Sequence, residues 1–191
     1  MDKTEAISTV LALVDDAPVV FTTGYTSRIG ASLADRPNHF YMTGSMGLAL
    51  PLGMGVALAT RRPAVVLDGD GSVLMNPAGM LTAAVVPDLP LVHLVLDDGA
   101  YTSTGGQPTG SAAVDLVGLA AGSGYRHTRQ VQDADGLGEA VREALDGCSA
   151  PWFIRCLLEP DDLAPPPRIG VPLDEIARRF SGHLTQRQAA V

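Results

Sequence analysis

The sequence predicts an α/β fold: an open, mostly parallel sheet flanked by helices on both faces. Three observations predict it. Short apolar runs alternate along the chain with longer Ala/Leu/Gly-rich stretches, the strand, helix, strand order of parallel sheets. The runs are apolar or β-rich, as suits strands covered on both faces. Two of them end in aspartates beside glycines, Leu67-Asp68-Gly69-Asp70-Gly71-Ser72 and Leu96-Asp97-Asp98-Gly99-Ala100-Tyr101. The carboxyl ends of parallel strands are where such sheets bind ligands.

Taken in order, residues 1–14 read as a leading helix and Val19-Val20-Phe21 as the first strand. A short helix over residues 25–34 leads to a second strand over 39–42. Residues 48–60 are long enough for a crossover helix into the strand at 64–67, after which Ser72 can open another helix. The stretch 78–86 then reads as a helix, 91–96 as a strand, 114–121 and 137–145 as helices, and Trp152 to Leu157 as the last strand. Residues 160–172, with Pro165-Pro166-Pro167, cannot continue a helix and read as an extended linker. Residues 173–188 resemble a terminal helix that docks on this domain or on another chain. The expected division is a domain over 1–159 and a linker with helix or tail over 160–191.

Composition narrows the function classes. A chain of 191 residues, 46% hydrophobic and 18% charged, is enough for one full core. No run reaches the roughly 18 apolar residues of a membrane span. The start, Met1-Asp2-Lys3-Thr4-Glu5, lacks the basic opening of a signal peptide, so the expected location is cytoplasmic. A net charge of −8 argues against nucleic acid, which calls for a basic face. The two cysteines, Cys148 and Cys156, form no Cys-x-x-Cys and read as ordinary residues near the last strand.

The aspartates carry the chemistry. Magnesium takes octahedral oxygen coordination from one or two carboxylates, phosphate oxygens and water, which Asp70 and Asp98 can supply from adjacent strand ends. Gly69 and Gly71 allow a tight turn and close approach to phosphate, and the N–H groups opening the next helix attract anions. The plain alternative is a pair of acidic turns, since Asp-Gly is a common turn dipeptide.

With these residues in place, Gly69-Asp70-Gly71-Ser72 followed 28 positions on by Asp98 resembles the diphosphate motif of thiamine-diphosphate enzymes, a GDG followed by Asn-Asn. The resemblance covers about residues 18 to 157 and implies the pyrophosphate domain of the thiamine-diphosphate-binding fold. It implies magnesium ligands at Asp70, Asp98 and the carbonyl of Ala100, although both Asn positions are Asp here. Gly44-Ser45-Met46-Gly47 is similar to the segment that holds the aminopyrimidine, with Gly44 accepting its amino group and Met46 wedged beneath the ring. A methionine is otherwise ordinary core filler.

Two segments point to a branch. Thr22-Thr23-Gly24-Tyr25-Thr26-Ser27-Arg28 and the run from Gly99 through Gly105-Gly106-Gln107-Pro108-Thr109 resemble phosphonopyruvate decarboxylases. Residues 44–49 and 70–76 are similar to sulfopyruvate decarboxylase β subunits as well. The implied reaction converts 3-phosphonopyruvate to phosphonoacetaldehyde and CO2, with the cofactor as electron sink. The expected cofactor contacts are Gly24, Thr26, Ser27, Arg28, Gly44, Ser45, Met46, Gly69, Gly71, Ser72 and Tyr101. Tyr101, Thr102, Ser103 and Gln107 are candidates to line the reacting carbon, the alternative being a solvated loop. Arg28 is the cationic candidate for phosphate or phosphonate, or else a surface salt bridge.

Enzymes of this type also need a pyrimidine-binding domain, whose glutamate activates the cofactor, and a chain of this length has room for one of the two. The resemblance therefore implies a separate α subunit, a hetero-oligomer with its site between chains, and a small anionic 2-oxo acid as substrate. Because this chain is acidic, the partner is expected to contribute basic residues. His93 reads as a core histidine, and His39 and His127 as weaker proton-transfer candidates. A noncatalytic diphosphate-binding regulatory subunit is the reading from a different class.

Overall fold

The computed structural model describes residues 1–159, 164 and 166–188. Part of the expected linker, residues 160–163 and 165, lies outside the described residues, as do 189–191. The described strands are β1 (Val19–Phe21), β2 (His39–Tyr41), β3 (Ala64–Gly69), β4 (Leu91–Asp97), β5 (Ala100–Tyr101), β6 (Gln107–Pro108), β7 (His127–Val131) and β8 (Trp152–Leu157). Six of them form one sheet in the order β2-β1-β3-β4-β8-β7, every neighbouring pair parallel. The remaining two, β5 and β6, make a small antiparallel hairpin. The described helices are α1 (Lys3–Leu13), α2 (Tyr25–Leu33), α3 (Ala49–Thr60), α4 (Asp70–Met75), α5 (Ala78–Val85), α6 (Leu116–Ser123), α7 (Ala134–Leu145) and α8 (Leu173–Gln188).

Alternate residues of the buried strands feed two cores. Val65, Leu67, Val92 and Leu94 face α1, α2 and α7, meeting Ile7, Val10, Ile29 and Val141. On the other face Val66, Val95 and Phe153 meet Leu50, Met54, Met80 and Leu116 of α3, α5 and α6. All seven residues of β4 are buried, which is why this strand is apolar except for His93 and Asp97.

The β5–β6 hairpin is not among the expected elements and α6 is shifted by two residues from the expected 114–121; three further differences have a direct physical reason. Strand β7 has no counterpart in the sequence reading, because His127-Thr128-Arg129-Gln130-Val131 lies at the sheet edge, largely exposed and with no apolar run to mark it. Helix α7 begins at Ala134, ahead of the apolar spacing, because the Asp133 carboxylate caps it by accepting from the Gly136 N–H at 2.8 Å. Helix α4 opens at Asp70, two residues before Ser72, with Gly69 as its N-cap.

The terminal helix docks on its own domain, along the β2 edge. Ile176 joins one core and Phe180 the other, where its ring meets Phe40 edge-on at 5.4 Å. Arg179 donates to both oxygens of Asp35 at 2.8 and 2.6 Å. Among the described residues no helix is long and apolar enough to cross a membrane.

Candidate active site

The strand order reverses between β1 and β3: α2 leaves β1 over one face of the sheet, and α3 reaches β3 over the other. Ligands of open α/β sheets bind at such switch points. Here the loops close on a crevice of about 300 Å³. Gly69, Asp70, Gly71 and Ser72 line one side; Gly44, Ser45 and Met46 a second; Asp98, Ala100, Tyr101, Thr102 and Ser103 a third. Thr26 also reaches it, whereas Gly24, Ser27 and Arg28 line an adjoining cavity. Gln107 is exposed on β6 and lines neither.

A hydrogen-bond hub fixes these loops relative to one another. The buried Ser72 Oγ accepts from the Thr22 hydroxyl and from the Gly47 N–H, both at 3.1 Å, tying the end of β1 and the 44–47 turn to α4. Asn76 Nδ2 donates to the Gly47 carbonyl at 2.8 Å. Within that turn Ser45 is held at φ +56°, a left-handed conformation that costs a non-glycine residue energy and that tends to persist where function requires it. Met46 is half-buried and belongs to neither core, so its apolar side chain is left to the crevice instead of serving as filler. Ser27 is committed to the scaffold, its hydroxyl lying 2.7 to 3.2 Å from the carbonyls of Phe21, Thr22 and Met42. At Gly71 a Cβ would fall 2.3 Å from the Tyr101 ring, so only glycine lets the hairpin close over α4.

The three carboxylates differ in what compensates them. Asp97 is buried, pairs with Arg155 of β8 at 2.7 and 2.8 Å, and accepts from the Ser111 hydroxyl at 2.7 Å. Asp98 accepts from Lys3 Nζ and the Thr102 hydroxyl, each at 2.7 Å. Asp70, 2% exposed, accepts from the Thr109 hydroxyl and has no ion-pair partner among the described residues. Burial, then the Asp97 and Asp98 charges, push its carboxyl up to about 6 despite that hydrogen bond. The extra carboxylates at the Asn-Asn positions thus bring their own cations, and Asp70 alone remains unserved. Among the described residues no three His, Cys, Asp or Glu side chains cluster to hold a metal. Two carboxylates and a backbone carbonyl facing one crevice suit an ion whose other ligands are phosphate and water.

Sequence reasoning did not find Lys3, Arg155 or Thr109. Lys3 lies 95 positions from Asp98 and comes from a helix with no motif, so nothing local signals it. The histidines lie away from the crevice. His39 and His127 begin their strands, at the opposite end of the sheet, and His93 is a fully buried core residue 3.4 Å from Asp68. Burial pushes the Cys148 and Cys156 thiols up to about 11 and about 12, as expected of inert residues.

Comparison with known proteins agrees with this geometry. Residues 22–156 match the family model described as thiamine pyrophosphate enzyme, C-terminal TPP binding domain. The chain is 46% identical over 181 residues to a phosphonopyruvate decarboxylase of Streptomyces viridochromogenes, covering 94% of this chain and 45% of that one. It is 38% identical over 180 residues to the sulfopyruvate decarboxylase subunit beta of Methanothermobacter thermautotrophicus, covering 94% of both. The chain therefore spans a little under half of the Streptomyces relative and nearly all of the archaeal subunit. The thiamine diphosphate-dependent 4-hydroxybenzoylformate decarboxylase of Rhodococcus jostii RHA1 superposes with a TM-score of 0.72 at 27% identity, over 85% of this chain and 33% of that one.

Proposed function

This chain belongs to the family of thiamine pyrophosphate enzyme C-terminal TPP-binding domains, and from that premise we propose that it is the pyrophosphate-binding half of a 2-oxo acid decarboxylase. The substrate is 3-phosphonopyruvate and the products are phosphonoacetaldehyde and CO2. The observation that carries the reading is the meeting of Asp70, Asp98 and Ala100 with Gly44 and Met46 in one crevice at the switch point. Similarity to the Streptomyces phosphonopyruvate decarboxylase favours the phosphonate substrate.

In this reading Asp70, Asp98 and the Ala100 carbonyl hold Mg2+ against the diphosphate, and the cofactor supplies the electron sink for decarboxylation. The Gly44 carbonyl and the Met46 side chain orient the cofactor's ring. Gly69, Gly71 and Ser72 approach the diphosphate from the start of α4. Tyr101, Thr102 and Ser103 close over the reacting region and reduce its contact with water.

A separate α chain brings the pyrimidine-binding domain and the activating glutamate. No glutamate lines the crevice, and Glu5 is exposed on α1. Leu48, at the N-cap of α3, and Met75, Leu81 and Val85 of α4 and α5 present exposed apolar surface, which a partner would cover. The assembly works in the cytoplasm, a reading supported by the free state of both cysteines. Sulfopyruvate is the second reading, favoured by the near full-length match to the archaeal beta subunit.

The test is aldehyde and CO2 release from each 2-oxo acid with thiamine diphosphate and Mg2+, using the chain alone and then with the pyrimidine-binding partner. Release only in the mixture is expected. Release by the chain alone would overturn the two-chain reading, and silence in a confirmed complex would favour the noncatalytic one.

A further inference from the structure

The crevice has a neighbour whose chemistry the decarboxylase reading does not yet use. A cavity of about 540 Å³ shares Thr23, Ser103 and Thr104 with the crevice and continues beyond them to Arg28 and Arg168. Among the described residues no aspartate or glutamate lines it, in a chain whose net charge is −8. Arg28 sits with its guanidinium 5.6 Å from the centre of the Tyr25 ring. Neither arginine has an ion pair among the described residues, and Asp35, which with both of them lines a further cavity, is already bound bidentately by Arg179. Two arginines therefore line one cavity with no carboxylate counter-charge among the described residues.

Each arginine is held in place by features with other origins. Arg28 lies in the first turns of α2, beside the end of β1. Arg168 lies in the extended segment before α8, where Ile169 and Val171 pack against the first core and α8 anchors the far end. Arg168, Ile169, Val171 and Pro172, from the end of the segment that reads as a linker, thus line the cavity wall. At Gly24, which has φ +95°, a Cβ would fall 3.0 Å from Ser103 Oγ, so glycine there lets the 102–104 loop close down between crevice and cavity.

We infer that Arg28 and Arg168 form the subsite for the terminal tetrahedral oxyanion of the substrate, a phosphonate or sulfonate on a three-carbon 2-oxo acid. The inference rests on the decarboxylase reading and, of the phosphate and phosphonate roles open to Arg28, takes the substrate one. Two guanidinium forks offer parallel N–H donors to the three oxygens of such a group, and the Thr23, Thr43 and Ser103 hydroxyls stand around it. The basic residues expected of the partner are then supplied here by this chain itself.

The test titrates the cofactor-loaded complex of this chain with its pyrimidine-binding partner, using 3-phosphonopropionate and 3-sulfopropionate, analogues that lack the keto group, and pyruvate, which lacks the terminal anion. Cofactor affinity is measured in parallel, and Arg28→Gln, Arg168→Gln and Arg168→Lys are compared. Either anionic analogue should bind more tightly than pyruvate, and the tighter of the two identifies phosphonate or sulfonate. Each Gln variant should weaken that binding about tenfold or more, with Arg168→Lys in between. Thiamine diphosphate affinity should stay unchanged in all three. Analogue binding that ignores Arg168→Gln, or that is absent from the cofactor-loaded wild type, overturns the subsite. Loss of cofactor affinity in the Gln variants would assign the arginines to the diphosphate and overturn it too. Failure of the wild-type complex to bind thiamine diphosphate with Mg2+ would instead strike the decarboxylase reading, a separate readout.

Discussion

Asp35 at the β2 edge and Asp70 in the crevice are carboxylates of one small sheet, and they have opposite electrostatics. Asp35 receives two hydrogen bonds from Arg179, which hold its carboxyl below the usual range. Asp70 is buried beside Asp97 and Asp98 with one hydroxyl for company, and is driven up to about 6. The first arrangement is what a fold does with a charge it only has to accommodate. The second leaves a charge uncompensated where a cation from outside can satisfy it, and such perturbed groups concentrate at functional sites.

The largest expected effect comes from removing a charge that is compensated. Asp97→Ala leaves Arg155 buried without its partner and should cost about 3–5 kcal/mol in urea denaturation. A loss below about 1 kcal/mol would mean that the pairing of Asp97 does not matter, and the contrast with Asp70 would fail.

Asp70→Asn should behave the other way. Magnesium-dependent thiamine diphosphate affinity, read by calorimetry, should fall about 100-fold, while the ligand-free chain becomes more stable by on the order of 1–2 kcal/mol. A variant destabilised in the ligand-free state would break the comparison, since Asp70 would then be contributing to the fold.

The two ends of the sheet should also show opposite pH signatures. Asp70, raised to about 6 from 3.8, holds a proton in the native state that the unfolded chain has released. Its contribution therefore lowers stability as pH rises from about 4 to about 6. His39, pushed down to about 4 by burial, refuses a proton that the unfolded chain accepts, so its contribution raises stability over about pH 4 to 6.5. The two oppose each other in the wild type, each worth on the order of 1–2 kcal/mol. Asp70→Asn should therefore show the steeper rise with pH in thermal denaturation. In the wild type, magnesium-dependent cofactor affinity should weaken as pH falls through about 6, because the ligand must be deprotonated.

The smallest effect is expected at the β2 edge. Arg179→Ala should cost about 1 kcal/mol or less, because the pair is partly exposed, and should leave cofactor affinity untouched.

Much of the fold was legible because β1, β3, β4 and β8 are buried on both faces and so write themselves as apolar runs. Strand β7 was not, because an edge strand carries polar residues and owes its existence to the strand beside it. At the site, the placement of Asp70 and Asp98 at one crevice was legible from their strand ends, and that of Gly44 to Met46 from resemblance. Lys3, Arg155 and Thr109 were not. They meet the aspartates across 95, 58 and 39 positions of chain, and packing alone brings them there. Resemblance of residues 22–28 to phosphonopyruvate decarboxylases put Gly24, Ser27 and Arg28 with the cofactor, Arg28 also with a phosphonate; these three line the neighbouring cavity, and Thr26 of the same segment lines the crevice.

Strand β8 is the last of the sheet in sequence, yet it lies in the interior, between β4 and β7. During synthesis the ribosome must deliver residue 155 before Asp97 meets its arginine, and β4 waits with an open edge until then. Order of manufacture and order of assembly therefore diverge. A nascent chain stalled before Trp152 has made the whole diphosphate motif but can neither close its sheet nor neutralise Asp97. Such an intermediate exposes an apolar edge and is a natural client for a chaperone.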